Sequence, residues 1–132
     1  MEPLLSSQIL AINLEVVDWP QTLVADTLFW LTIIVRNGTA RRIAAFQPFP
    51  VRLAYHWRTA NKRELVQFEG SRTELFPALQ PFSETRISMM VVAPVITGEL
   101  VLQVTLLQES VCWFEHVKRD IAQESVIEVM PA

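Results

Sequence analysis

Apolar and polar residues alternate along most of this chain, which is the pattern of β-strands that bury one face. The clearest segment is VRLAYHWR at 51–58, whose buried face is predicted to carry Val51, Leu53, Tyr55 and Trp57. The opposite face of this segment includes His56, which we therefore expect to be exposed to solvent. Six more segments are predicted as strands: 8–17, 28–37, 63–68, 85–92, 99–107 and 125–130.

The breaks between these segments carry turn residues. Gly38 follows Asn37, a pair that tolerates the positive φ of tight turns, and Gly70 and Gly98 also lie at breaks. Five prolines lie between the segments, where a missing N–H removes no ladder hydrogen bond: Pro48, Pro50, Pro77, Pro81 and Pro94. About seven antiparallel strands predict an all-β fold, an immunoglobulin-like β-sandwich in a single domain of residues 1–132, with a jelly roll as the alternative.

The composition is slightly more apolar than that of a typical domain. Apolar residues make up 51% of the 132 residues and charged residues 19%, against typical values of about 45–50% and about 25%. A small domain has little interior to hide this excess, so part of it is expected to face a partner. The candidate surface is the second face of segment 28–37, with Leu28, Trp30 and Ile34, which is either covered by the chain ends or docks another protein or a second copy.

Charge and targeting signals exclude several classes of function. The net charge of −3 argues against nucleic acid as a partner, because duplex binding needs a basic face. The N-terminal residues show neither a secretory signal nor an apolar run of the roughly 20 residues that a membrane helix requires. We therefore expect a cytoplasmic protein without membrane insertion, and the single Cys112 excludes an internal disulfide framework.

The stretch LLQESVCWFE, residues 106–115, is the main candidate site. The alternation runs through Leu106 and then changes face, which predicts a turn or bulge at 108–110. In one interpretation, Trp113 and Phe114 cap the core while Glu109 bonds backbone N–H groups. In the other, the aromatic residues form a platform on which a sugar stacks while the carboxylate of Glu109 binds its hydroxyls.

Catalytic chemistry is not indicated by the residues present. Cys112 has only His56 and His116 as candidate bases, and these three residues do not have the spacing of a zinc site. The sequence contains no phosphate-binding loop, dinucleotide-binding motif, zinc-protease motif or nucleophile elbow. We predict that the chain is not an enzyme and uses no cofactor or metal.

Four segments of the chain resemble an immunoglobulin-like module of bacterial, often cyanobacterial, proteins: VRLAYHW at 51–57, RTELFPALQPFSE at 72–84, VVAPVITGELVLQVTLLQE at 91–109 and VCWFE at 111–115. In that family the module accompanies glycosyltransferases or methyltransferases of surface polysaccharide synthesis. The residues that match its marked positions are Trp57, Arg72, Glu109, Trp113 and Phe114. The family's Pro-Gly before Glu84 keeps its proline as Pro81 but lacks the glycine, and the family's tyrosine after Gly98 is missing here.

Two functional hypotheses follow. The resemblance implies a non-catalytic accessory module that recognises glycan or positions a polysaccharide-building enzyme, with the five matching residues as the ligand-binding set. The alternative is a protein-interaction or homo-oligomerisation domain that uses the apolar face of segment 28–37.

Overall fold

The computed structural model describes residues 1–67 and 70–132, and most of its regular structure is strand. A one-turn helix, α1, comes first at Ser6–Ile9. The strands that follow are β1 Ile12–Val16, β2 Thr22–Val24, β3 Leu28–Asn37, β4 Val51–Thr59, β5 Leu65–Gln67, β6 Thr73–Glu74, β7 Ser83–Val92, β8 Gly98–Gln108, β9 Cys112–Trp113 and β10 Gln123–Met130. Two 3₁₀ turns, Phe114–His116 and Arg119–Ile121, connect β9 to β10.

The strands form two sheets that pack as a sandwich, which confirms the predicted all-β class. The first sheet has the order β1-β3-β7, and the second has the order β2-β10-β8-β4-β5, with β6 beside β4 and β9 beside β8. This is the partition of an immunoglobulin-like sandwich: β1, β3 and β7 take the places of strands A, B and E in one sheet, and β4, β8 and β10 take those of C, F and G in the other. The described residues contain ten strands rather than seven, and the three that the alternation does not reveal, β2, β6 and β9, are only two or three residues long. Strand β2 also runs parallel to β10, against the antiparallel prediction.

Most predicted strands begin and end within two residues of the observed ones, and segment 8–17 differs most. Segment 8–17 was expected to be extended, but it begins with α1, where the side chain of Gln8 accepts a hydrogen bond of 2.9 Å from the Leu5 backbone N–H. That local bond favours a helical turn over a strand, and Ile9 enters the core from it. The predicted strand 63–68 corresponds to β5, and its last residue, Phe68, lies outside the described residues.

The core lies between the sheets and centres on the inward face of β4. Trp57 is fully buried, and its indole Nε1 donates a hydrogen bond of 3.1 Å to the carbonyl oxygen of Val92 in β7, in the opposite sheet. A buried tryptophan on the third long strand is also a hallmark of immunoglobulin domains. The bond satisfies the one polar atom of the indole inside an apolar environment.

Side chains rather than a neighbouring strand satisfy part of the free edge of β7. The buried Tyr55 hydroxyl accepts hydrogen bonds from the backbone N–H of Val92 at 3.1 Å and of Ser71 at 3.3 Å. The Thr73 hydroxyl accepts one from the Met90 N–H at 3.2 Å. Gly70 lies directly against the tyrosine ring, where a Cβ atom would overlap it. These contacts hold the two sheets together along one side of the sandwich.

The segment between β9 and β10 packs Phe114 and Ile121 into the core and is tied to the N-terminal region. Lys118 Nζ donates hydrogen bonds to the carbonyl oxygens of Leu10 at 3.2 Å and Ile12 at 2.8 Å, and to Asn13 Oδ1 at 2.7 Å. Three acceptors match the three donors of an ammonium group. Among residues 1–67 and 70–132, no helix has the length and apolar character needed to cross a membrane.

Candidate binding site at the end of the second sheet

The predicted change of face at 108–110 is a tight turn that reverses the chain. Strand β8 ends at Gln108, Ser110 adopts a positive φ of 62°, and the Val111 N–H donates to the Gln108 carbonyl at 3.0 Å. Strand β9 then returns alongside β8, with Trp113 paired to Leu107. The turn therefore places Trp113 beside the end of the sheet.

Arg72, which is distant in sequence, meets Glu109 and Trp113 at this turn. Arg72 Nε donates a hydrogen bond of 3.1 Å to Glu109 Oε1. The guanidinium carbon of Arg72 lies 4.9 Å from the centre of the Trp113 ring, which is cation–π distance. Arg72, Glu109 and Trp113 were all predicted as ligand-binding residues, and the structure brings them together.

Glu109 is held by arginine side chains, in contrast to the expected bonds to backbone N–H groups. Besides Arg72, it pairs with Arg52, whose Nη1 lies 3.7 Å from Oε1. Arg52 Nη2 lies 3.3 Å from Glu74 Oε1. The charged groups of Glu74, Arg52, Glu109 and Arg72 therefore form one row of alternating sign. Arg52, Glu109 and Arg72 are half-buried, with 22–29% of each side chain exposed. This restricts their rotamers and strengthens the pairs relative to exposed ones.

A shallow cavity of about 280 Å³ opens at the turn. It is lined by Arg72 and by residues 107–113. This volume is near the lower end of the range of small-molecule sites, which is roughly 300–1,000 Å³. The lining combines charged hydrogen-bonding groups with part of an indole ring, so the cavity can bind hydroxyl groups beside an apolar surface.

A buried histidine lies beneath Trp113. His56 is 1% exposed, and its Nε2 lies 2.9 Å from Glu115 Oε1. The imidazole centre is 4.8 Å from the Trp113 ring, with 52° between the planes. The prediction that His56 is exposed is therefore wrong, because the chain from β9 into the first 3₁₀ turn covers this face of β4.

Two of the five predicted ligand-binding residues are buried in the core. Trp57 and Phe114 have no exposed surface, so neither side chain can contact a ligand in this structure. Trp57 faces inward from the centre of β4, and Phe114 enters the core at the start of the 3₁₀ turn. The two interpretations of 106–115 thus apply to different residues: Phe114 caps the core, whereas Trp113 and Glu109 line the cavity.

The predicted partner-binding face is only partly available. On β3, Trp30 is 63% exposed and Leu28 is 52% exposed. Ile34 is 8% exposed and does not belong to an open patch, because it lies between its cross-strand neighbours Glu15 and Arg86. The open apolar surface is therefore restricted to the first half of β3.

The chemical state of Cys112 is set by its surroundings. Partial burial raises the pKa of the Cys112 thiol, which favours the protonated form over the nucleophilic thiolate. Within the described part of the chain, no group of three or more His, Cys, Asp or Glu side chains is placed to hold a metal ion.

Sequence reasoning misses Arg52, Glu74 and the His56–Glu115 pair. The alternation of 51–58 places Arg52 and His56 on the same outer face, which is the one local signal available. Their partners come from residues 22 to 59 positions away in the chain. The register of β4 against β6 and β8 decides those contacts, and the local pattern carries no information about it.

Comparison with known proteins finds similarity at the level of fold. No protein-family model and no curated protein matches the sequence. A β-glucosidase from Listeria innocua aligns with 92% of this chain at a TM-score of 0.55 and 12% identity, and the chain covers 16% of that enzyme. The CARDB domain of a Pyrococcus furiosus protein, solved in complex with di-metal ions, aligns at 0.51 and 12% identity over 92% of this chain and 93% of that one. The sporulation control protein Spo0M from Bacillus subtilis gives 0.50 and 12% identity over 90% and 49%.

The fold is that of a β-sandwich domain. Such sandwiches occur in glycosidases and in CARDB-type proteins. At 12% identity, these similarities concern the fold and not the activity.

Proposed function

We propose that this chain is a non-catalytic β-sandwich accessory module that recognises glycan at the cavity of Arg72, Glu109 and Trp113. The observation that carries the proposal is the convergence of these residues, 37 positions apart in the case of Arg72 and Glu109, around one concave surface. Sugars combine apolar C–H faces with hydroxyl groups. A site with an indole and fixed charged groups can bind both.

The arrangement of carboxylates supports binding rather than glycoside hydrolysis. Hydrolysis uses two carboxyl groups that flank the scissile bond. Here Glu74 and Glu109 lie on either side of the Arg52 guanidinium, within 4 Å of it. The guanidinium occupies the space that a glycosidic bond would need.

A supporting role beside a polysaccharide-building enzyme is the broader part of the proposal. The sequence resembles modules that accompany glycosyltransferases and methyltransferases. A similar sandwich accounts for 16% of the β-glucosidase from Listeria innocua, so this fold occurs within larger glycan-processing enzymes. The single cysteine fits the reducing conditions of the cytoplasm, where we place this function.

The test is a titration of the purified chain with cell-surface polysaccharide from the source organism, followed by tryptophan fluorescence. We expect a saturable change that Trp113→Ala abolishes. Trp30→Ala is the matched control, because it removes an exposed tryptophan from the first sheet and should leave the affinity unchanged. If millimolar sugar produces no change in the folded protein, the proposal is wrong.

The exposed half of β3 favours a second candidate function, protein interaction or homo-oligomerisation, of which the association of two copies of this chain is the directly testable form. Trp30 and Leu28 are more than half exposed, and their cross-strand neighbours Met90 and Val92 are half-buried on the same face. An apolar patch of this kind is typical of interaction sites. Trp30→Glu should abolish concentration-dependent association in analytical ultracentrifugation, whereas Thr32→Glu, a charge added at an already polar position of this face, should weaken it less.

A further inference from the structure

We infer that the glycan site continues into a second cavity and that its ligand is an uncharged oligosaccharide rather than a single sugar. This inference rests on the proposed function. The second cavity, of about 350 Å³, lies between the β3–β4 and β6–β7 connections. Its walls include the aromatic rings of Phe46 and Phe76 and the polar side chains of Arg42, Glu74 and Gln80.

The aromatic rings of this cavity are unusually open to solvent. Phe76 is 83% exposed and Phe46 is 43% exposed. The guanidinium carbon of Arg42 lies 5.0 Å from the centre of the Phe46 ring, and this cation–π contact limits the motion of the Phe46 side chain. Open aromatic rings beside hydrogen-bonding side chains repeat the chemistry of the Trp113 cavity.

A single arginine connects the two cavities. Glu74 lines the second cavity and Glu109 lines the first. Both carboxylates contact the Arg52 guanidinium, at 3.3 and 3.7 Å. The cavities are therefore neighbours at one end of the sandwich, where β4 begins and β8 ends.

The row of charges between the cavities indicates which sugars fit. Arg52 and Arg72 alternate with Glu74 and Glu109, so the formal charges of the shared wall cancel. The negative charge of an acidic sugar would add little binding free energy at such a wall. The hydroxyls of a neutral sugar, in contrast, can form hydrogen bonds with both the arginine donors and the glutamate acceptors. An oligosaccharide long enough to cross this row would place one unit against Trp113 and another against Phe76.

The test uses neutral oligosaccharides of one to six units, prepared by partial hydrolysis of the source organism's cell-surface polysaccharide. Affinities for the purified chain are measured by isothermal titration calorimetry. We expect affinity to rise from one to several units, and Phe76→Ala to lower it about tenfold for the longer chains alone. Phe82→Ala is the matched control, because Phe82 is 73% exposed at the same end of the sandwich but lines a different cavity.

The possible results separate this inference from the proposed function. If longer chains bind through Trp113 but Phe76→Ala has no more effect than Phe82→Ala, the second cavity is not a sugar subsite and the glycan function stands. If Phe76→Ala also abolishes binding of the single sugar, the two-subsite arrangement is wrong. If no oligosaccharide binds the folded protein, the proposed function fails and this inference fails with it.

Discussion

Removal of one oxygen atom, by Tyr55→Phe, should destabilise this fold strongly. The hydroxyl of Tyr55 accepts hydrogen bonds from the N–H groups of Val92 and Ser71, at 3.1 and 3.3 Å, and the whole residue is buried. Phenylalanine fills the same space, so no cavity opens and the ring contact with Gly70 remains. The cost comes from the two N–H groups that lose their acceptor.

The magnitude follows from the burial of these two donors. A buried N–H without a partner costs about 1–3 kcal/mol. Val92 and Ser71 are both half-buried, so water can replace part of each bond, and we expect a total loss of about 1–3 kcal/mol in the free energy of unfolding. With a urea m-value of about 2 kcal/mol/M, the unfolding midpoint should fall by about 0.5–1.5 M.

The assay is equilibrium unfolding in urea, followed by tryptophan fluorescence. Thr32→Val is the control, because it removes an exposed hydroxyl from the outer face of β3 and should change the stability by less than about 0.5 kcal/mol. A Tyr55→Phe midpoint equal to that of the control would refute the reasoning. It would mean that side chains do not satisfy the edge of β7 in solution.

Three further predictions concern other parts of the fold. Lys118→Met should lower the free energy of unfolding in urea by about 1–3 kcal/mol, because three hydrogen bonds to residues 10–13 are lost. The hydrogen bond and charge of Arg63 lower the pKa of Glu124 below its ordinary value of 4.5; this pair therefore stabilises the fold above pH 4.5 and loses its effect as the pH falls through the folded-state pKa. Arg63→Met should accordingly destabilise the protein at pH 7, by up to about 1 kcal/mol in urea unfolding, and progressively less as the pH falls through the folded-state pKa of Glu124. Alkylation of Cys112 by iodoacetamide at pH 8 should be slower in the folded protein than in urea, because burial raises the pKa of the thiol; equal rates would contradict this.

The candidate site was only partly predictable. Arg72, Glu109 and Trp113 were found from the local break in alternation and from the family resemblance, and the structure brings them together. The resemblance also marks Trp57 and Phe114, but both are buried. The alternation of 51–58 predicts the inward position of Trp57, whereas Phe114 follows the break in alternation, where residue type does not distinguish a core position from a cavity wall.

The sequence by itself determined the strands and their inward faces. Alternation is a local property of an extended chain, so it identified β3, β4, β7, β8 and β10 and the residues that those strands turn toward the core. The tertiary structure alone decided what covers the outward faces. His56 is buried because residues 113–116 fold across its strand, and Ile34 is buried because Glu15 and Arg86 flank it. Those contacts depend on strand register and on the path of connecting segments, which are set by close packing between residues far apart in the chain.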